Sequence, residues 1–293
     1  MLSQLRGTGV AIVTPFFADY RINFNALGKV VDHIVRCKCE YIVVLGTTGE
    51  SVTLDKDEKQ EIFNFIKNRV KGKVSLVAGV GGNNTNHVIS ELTTFNLEGY
   101  DAILSVSPYY NKPSQEGIYQ HFMAVASNSP LPVILYNVPT RTMSNMTAET
   151  TLRLANDSEK IIGIKEASGN LQQMMHIVQH RPKNFLVISG DDPLSIPGIS
   201  FGMDGVISVV ANAYPKETSR MIRAALSGKF SIATKDHYFL LDKIEMMFAE
   251  SSPAGVKEFL SQMNLCEAHV RMPLSRVSEA LREKIANAIK GNQ

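Results

Sequence analysis

Val133-Ile134-Leu135-Tyr136 and Ile161-Ile162-Gly163-Ile164, with helical periodicity between them at Ala148 to Ala155, form one repeat of the pattern that decides the fold. Both runs are short, β-branched and continuous rather than alternating, as strands buried on both faces of a parallel sheet are. Three more runs lie upstream at Tyr41-Ile42-Val43-Val44-Leu45, Val74-Ser75-Leu76-Val77-Ala78 and Ala102-Ile103-Leu104-Ser105-Val106, after a first at Val10-Ala11-Ile12-Val13. Two follow, at Phe185-Leu186-Val187-Ile188 and Gly205-Val206-Ile207-Ser208-Val209-Val210. Helical periodicity fills most of the other intervals, at Phe24 to Val35, Asp57 to Val70, Asn86 to Leu97, Gln115 to Ala126 and Leu171 to His180. Asn23 and Thr147 stand as N-caps, and Thr53 to Lys56 brings acidic residues into a first turn. The run-to-run interval, roughly 20 to 34 residues, is that of a βα unit. Eight uninterrupted units predict a closed α/β (β/α)8 TIM barrel rather than an open doubly wound sheet.

After Tyr214 the strand signal stops, and Lys216 to Leu226, Ile232 to Phe248, Ala254 to Met263 and Ser275 to Ile289 read as helices. One helix completes the eighth unit, so two or three are extra. The expected organisation is a catalytic barrel over 1–224 and a C-terminal helical extension over 225–293.

Composition narrows the function. The 293 residues carry 30 Lys+Arg against 28 Asp+Glu, a net charge of +2 with no basic surplus for a phosphate backbone. No nucleic-acid partner is expected. The apolar runs fall far short of the ~18–20 residues of a membrane helix, and Met1 to Phe17 carries no small-residue cleavage pattern. These features predict a cytoplasmic protein with no membrane association. Cys37, Cys39 and Cys266 are too few for a disulfide framework. Neither the Cys37/Cys39 pair nor His176 and His180, four apart on a helix, finds further ligands nearby, so no metal is expected.

In such a barrel, chemistry sits where strands end. Lys165 ends the sixth run. An amine buried there is costly to keep charged, and a neutral amine attacks a ketone to form a Schiff base; alternatively Lys165 reaches past the strand or pairs with Glu166. Tyr136 ends the fifth run and would lie beside Lys165, as a proton relay or as a core aromatic. Arg141, in the same loop, suits a carboxylate or a surface charge pair. Gly46-Thr47-Thr48-Gly49-Glu50-Ser51 follows the second run without the Gly-Lys-Ser/Thr ending of a phosphate loop. Its hydroxyls and backbone N–H groups suit a small carboxylate, or form a capping turn. Ser107-Pro108-Tyr109-Tyr110-Asn111-Lys112-Pro113 is a stiff loop fit for an interface or a site wall. Together these segments put a nucleophile, a relay, an anion pocket and a cation at one barrel mouth.

At these residues the chain resembles the dihydrodipicolinate synthase/N-acetylneuraminate lyase family of class I, pyruvate-dependent aldolases, from Gly9-Val10-Ala11-Ile12-Val13-Thr14-Pro15 to Arg271-Met272-Pro273-Leu274. The most specific segments are Gly46 to Ser51, Tyr136-Asn137-Val138-Pro139 and Gly163-Ile164-Lys165-Glu166, with Gly190-Asp191-Asp192 and Gly205 to Val209 in support. Tyr136 to Thr142 and Ser107 to Pro113 look like the synthase branch rather than the sialic acid lyases.

The resemblance implies that Lys165 condenses with pyruvate, whose carboxylate rests on Thr47 and Thr48. The resulting enamine would add to L-aspartate-4-semialdehyde, giving 4-hydroxy-tetrahydrodipicolinate at the entry to diaminopimelate and lysine biosynthesis. Arg141 matches the residue associated with the aldehyde's carboxylate; Tyr136, Thr47 and Tyr110 match a proton-relay triad; Gly190 and Ile207 match the pyruvate pocket. Tyr110 is expected to enter from a neighbouring subunit of a homotetramer built as a dimer of dimers. No cofactor is implied beyond the covalent Schiff base on Lys165.

One departure concerns regulation. Lysine-inhibited relatives use two histidines and a glutamate in a dimer cleft, where this chain has Lys56, Lys59 and His87, while Asn83 and Tyr109 keep the pattern. Two added ammonium groups and a missing carboxylate predict weak or absent inhibition by lysine. Two other readings remain open at this point: a related aldolase acting on sialic acid or a keto-deoxy sugar acid, and a barrel without catalysis serving as a binding module.

Overall fold

The computed structural model describes residues 2–291. Eight strands, β1 (Gly7–Ala11), β2 (Tyr41–Val44), β3 (Ser75–Gly79), β4 (Ala102–Val106), β5 (Val133–Asn137), β6 (Ile161–Glu166), β7 (Leu186–Ser189) and β8 (Gly205–Ser208), close in sequence order into a parallel barrel. The seam is the β1–β8 pairing, with Gly7 opposite Gly205. A Cβ on Gly205 would come 2.0 Å from the Gly7 carbonyl oxygen, so the strands meet there only through glycine. Outside run α1 (Phe24–Arg36), α2 (Lys56–Val70), α3 (Thr85–Thr94), α4 (Gln115–Asn128), α5 (Pro139–Thr142), α6 (Ala148–Asp157), α7 (Leu171–His180), α8 (Ser195–Ser200) and α9 (Pro215–Leu226). The extension is α10 (Phe230–Phe248), α11 (Ala254–Gln262) and α12 (Glu279–Lys290).

Local chemistry explains most helix starts. The side chains of Asn23, Asn84, Ser114, Thr147, Asn170 and Ser278 each accept a backbone N–H of the first turn, worth about 1 kcal/mol apiece. Asp55 and Glu58 form a reciprocal capping box on α2.

The expected barrel is observed, with shifted edges. β1 begins before Val10 and stops at Ala11, because the Val13 N–H is taken by Asn212 Oδ1 (3.1 Å), whose amide donates to the Ala11 carbonyl (2.8 Å). β8 ends at Ser208, because the Asp192 carboxylate receives the N–H groups of Val209 (2.9 Å) and Val210 (3.1 Å). α8 has no periodicity to betray it and contains Pro197 and Gly198.

Two apolar cores result, one between sheet and helices and one inside the barrel, where Leu5, Tyr41, Val43, Val77, Leu104, Ile134, Leu186, Ile188 and Ile207 converge. The Tyr41 ring occupies the space over Gly9, whose added Cβ would lie 2.2 Å away. The extension packs through α10 on α9, with Asp236 ion-paired to Arg220 and the Tyr214 ring against Phe239 and Phe259. Among the described residues no helix is long and apolar enough to cross a membrane.

Candidate active site

Alternation along β5 and β6 sorts four adjacent residues into two pairs. Tyr136 is the register partner of Lys165, and Asn137 that of Glu166. The first pair faces the barrel interior and the second faces the helices. Lys165 is 5% exposed and Tyr136 7%, and Lys165 Nζ lies 4.3 Å from the Tyr136 ring centroid. Glu166 does not pair with Lys165. Its carboxylate accepts from the Ser168 N–H (2.7 Å), Asn137 Nδ2 (3.0 Å) and Gln173 Nε2 (3.0 Å), tying β6 to β5 and α7 from outside. Burial pushes its carboxyl above the usual range, against these donors. Asn137 Oδ1 also receives the Met146 N–H at 3.0 Å.

Space around the amine is made by Gly190, where a Cβ would fall 2.6 Å from Ala167 Cβ and 2.9 Å from Lys165 Cε. A cavity of about 550 Å³ opens above, lined by Thr47, Thr48, Tyr136, Arg141, Lys165 and Gly190. Ile244, Glu245 and Phe248 of α10 line it too, as does Asp191, whose carboxyl burial pushes up. Ile207 does not line the cavity; it is buried in the inner cluster with Tyr136 and Ile188.

The Thr47–Gly49 segment is a 3₁₀ turn bounded by two left-handed non-glycine residues, Leu45 (φ 61°) and Glu50 (φ 53°). Such backbone costs roughly 1–2 kcal/mol per residue and persists only where its surroundings enforce it. Gly79 supplies the room: a Cβ there would lie 2.4 Å from the Leu45 carbonyl oxygen. Thr14 Oγ1 donates to the Gly49 carbonyl at 2.7 Å. Thr48 is buried, while Thr47 is exposed at the mouth.

A second cavity, about 180 Å³, shares Thr47, Tyr136 and Arg141 with the first and adds Lys59, Glu91 and Tyr109. Lys59 Nζ is ion-paired to Glu91 at 2.7 Å, and His87 Nε2 lies 3.7 Å from the same carboxylate. Lys56, at the start of α2, is exposed and lines neither cavity. Asn83 Nδ2 donates to the Tyr109 carbonyl (3.1 Å) and Asn111 Nδ2 to the Asn83 carbonyl (2.9 Å), clamping the loop that carries Tyr110. Tyr110 has φ 71° and is 89% exposed, outside both cavities of its own chain.

Sequence reading missed the part played by α10, because an amphipathic pattern gives the buried face of a helix but not its partner. It named Asp192 within Gly190-Asp191-Asp192 but did not see its role, which is to hold the turn after β8. His176 and His180 meet as tilted rings 4.7 Å apart.

Comparison with known proteins agrees with this architecture. The chain is 48% identical over 287 residues to the 4-hydroxy-tetrahydrodipicolinate synthase of Parabacteroides distasonis, covering 98% of this chain and 97% of that protein. The crystal structure of dihydrodipicolinate synthase from Aquifex aeolicus superposes with a TM-score of 0.94 at 37% identity, covering 98% of each chain. A monomeric dihydrodipicolinate synthase variant gives 0.95 at 34% identity, over 99% of this chain and 97% of that one. Residues 4–292 match the sequence profile of the dihydrodipicolinate synthetase family, and the chain belongs to that family.

Proposed function

We propose that this chain is a lyase that condenses pyruvate with L-aspartate-4-semialdehyde through a Schiff base on Lys165, without a cofactor. The observation that carries the reading is the buried amine of Lys165 against its register partner Tyr136 at the barrel mouth. Lys165 Nζ attacks the pyruvate ketone and water leaves, giving an iminium. Loss of a methyl proton gives an enamine, whose carbon adds to the aldehyde. The amino group of the adduct then attacks the iminium carbon and expels Lys165, releasing 4-hydroxy-tetrahydrodipicolinate. Tyr136 and Thr47 relay protons, Thr47 and Thr48 hold the pyruvate carboxylate, and Arg141 takes that of the aldehyde. Gly190 leaves room for the adduct, and Ile207 belongs to the inner apolar core of the barrel.

The relay's third member, Tyr110, comes from a second copy of the chain. Its exposure on a clamped, left-handed loop supports this. The active unit is then at least a dimer, and the family pattern favours a homotetramer. The same reading holds that the enzyme is cytoplasmic and acts in the diaminopimelate and lysine pathway. It divides the chain into a catalytic barrel over 1–224 and an extension over 225–293. The Lys56, Lys59, Asn83, His87 and Tyr109 cleft responds weakly or not at all to lysine, since Glu91 already carries an ammonium from the chain itself.

Intact-protein mass spectrometry after borohydride reduction, with and without pyruvate, tests the proposal. A pyruvate-dependent mass gain that disappears in Lys165→Ala supports it. No gain in the wild-type protein overturns the Schiff-base mechanism and moves the non-catalytic barrel to the front. A gain with turnover only on sugar-derived substrates would instead favour the sialic acid or keto-deoxy sugar acid reading.

A further inference from the structure

The Thr47–Thr48 turn is tied to the C-terminal extension by a buried ion pair. Glu50 is 2% exposed and Lys257, on α11, is fully buried. Lys257 Nζ pairs with Glu50 Oε1 and also donates to the His269 carbonyl at 2.8 Å. The other carboxylate oxygen, Oε2, receives the Arg271 N–H at 2.9 Å. The Arg271 guanidinium then spans the outside of the turn. It donates to the Thr53 and Tyr20 carbonyls, each at 2.8 Å, and pairs with Glu58. Lys257 Nζ and the Arg271 guanidinium both lie over the Phe16 ring, at 4.3 and 4.6 Å from its centroid.

Two features make this more than a stabilising contact. A buried ion pair is a poor source of stability, because desolvation offsets the attraction and apolar residues of similar size often do as well. And Glu50 is itself the left-handed residue that ends the turn, its N–H donating to the Thr47 carbonyl at 3.1 Å. Both carboxylate oxygens and the backbone N–H are therefore fixed, and the side chain holds the backbone conformation of the turn that carries Thr47 and Thr48.

We infer that Glu50 is a positioning residue: braced by Lys257 and the Arg271 backbone, it sets the Thr47–Thr48 turn in the geometry that receives the substrate carboxylate, and so makes α11 and the segment after it part of the active site. This rests on the reading of that turn as the pyruvate carboxylate site. The double substitution Glu50→Gln/Lys257→Met removes both buried charges together and leaves unsubstituted every residue proposed to touch substrate.

The readout is the pyruvate concentration that half-saturates borohydride-trapped adduct, beside kcat and KM for the aldehyde. Misplacement of a binding group by about 1 Å costs up to 10²-fold, so the double variant is expected to need at least ~10-fold more pyruvate. The aldehyde KM should stay within about twofold, since Arg141 is untouched. A merely structural pair would lower the amount of active protein and its melting temperature while leaving pyruvate half-saturation unchanged, and that result overturns the inference. If the double variant does not fold, Glu50→Gln alone, which weakens the tie to Lys257 while keeping the side chain's shape, decides by the same readout: a severalfold rise supports the inference and no change overturns it. Thr48→Val separates the layers of the argument. A rise in Thr48→Val without one in the braced variants sinks the bracing alone; no rise in Thr48→Val sinks the carboxylate reading, and the inference with it.

Discussion

Tyr136 and Lys165 are partners in the β5–β6 register, and Lys165 Nζ stands 4.3 Å from the centre of the Tyr136 ring. The relationship is fixed from outside the barrel, where Asn137 and Glu166 join the same two strands. Tyr136→Phe keeps the ring face and removes the hydroxyl. Borohydride trapping of pyruvate is therefore expected to persist at saturation, while kcat falls by about 10²–10⁴-fold, the usual weight of a positioned acid–base group. Unchanged turnover would remove Tyr136 from the relay.

Gly190 is expected to be intolerant of even one carbon. A methyl group there meets Ala167 Cβ at 2.6 Å and Lys165 Cε at 2.9 Å, so Gly190→Ala must turn the lysine away from its present line. Turnover should drop by roughly tenfold or more, and the melting temperature should fall as well, because Ala167 Cβ is fixed to its backbone and cannot yield as the end of the lysine side chain can. Full activity in Gly190→Ala would mean that the position of Lys165 is not critical.

The barrel was readable from eight continuous β-branched runs because strands buried on both faces carry their signature in consecutive residues. The edges were less readable. β1 and β8 end where Asn212 and Asp192, remote in sequence, claim backbone N–H groups, and α8 is a short turn holding a proline and a glycine. The neighbourhood of Tyr136 and Lys165 follows from strand order alone. By contrast, Glu50 stands in a segment whose glycines and hydroxyls drew attention, while its partner Lys257 is 207 positions away. No spacing rule links them. Nor does the amphipathic face of α10 announce that Ile244 and Phe248 turn toward the mouth.

Arg141 lines both cavities and projects from the short helix α5 after β5. If it grips the aldehyde's carboxylate, Arg141→Ala should raise the aldehyde KM by ~10-fold or more, the loss of one charge-assisted contact, about 1.5–3 kcal/mol. Arg141→Lys should recover only part, because an ammonium lacks the planar fork. The pyruvate concentration needed for adduct formation should not move. Equal losses for both substrates would place Arg141 in a general electrostatic role instead.

Acid sensitivity has a named source in His121. It is a 5% exposed residue of α4, with Nδ1 hydrogen-bonded to Thr85 Oγ1 of α3 at 2.9 Å and Nε2 without a partner among the described residues. Burial lowers its pKa from 6.5 to about 4. The unfolded chain thus takes up the proton first, and stability present above pH ~6.5 is lost as the pH falls toward ~4, by at most about 3 kcal/mol. Burial lowers His33 and His237 in the same direction. Glu166, Asp191 and Asp192 act with the opposite sign: burial raises their carboxyls, so the folded state keeps those protons longer and loses stability as the pH rises through their folded values. His121→Asn, which keeps an Nδ1-like group, should flatten the acid side of a plot of urea midpoint against pH. An unchanged slope between pH ~6.5 and ~4 would show that His121 does not carry the effect.

The proposed weak response to lysine rests on Lys59 and Glu91. The carboxylate that could receive an effector's ammonium is already occupied by Lys59 Nζ at 2.7 Å, with His87 beside it. A free lysine molecule must therefore displace an intramolecular ammonium that pays no cost of association. Half-inhibition of the wild-type enzyme in the low hundreds of micromolar or below would refute this reading of the cleft. Lys59→Ala removes the competitor and leaves the Glu91 carboxylate with only His87 beside it, at the edge of the smaller cavity. Its half-inhibition by lysine should fall by about tenfold relative to wild type, the effect of ~1.4 kcal/mol. Lys56→Ala, which frees no carboxylate, should change it far less. If the two variants respond alike, simple charge repulsion rather than occupation of Glu91 sets the insensitivity.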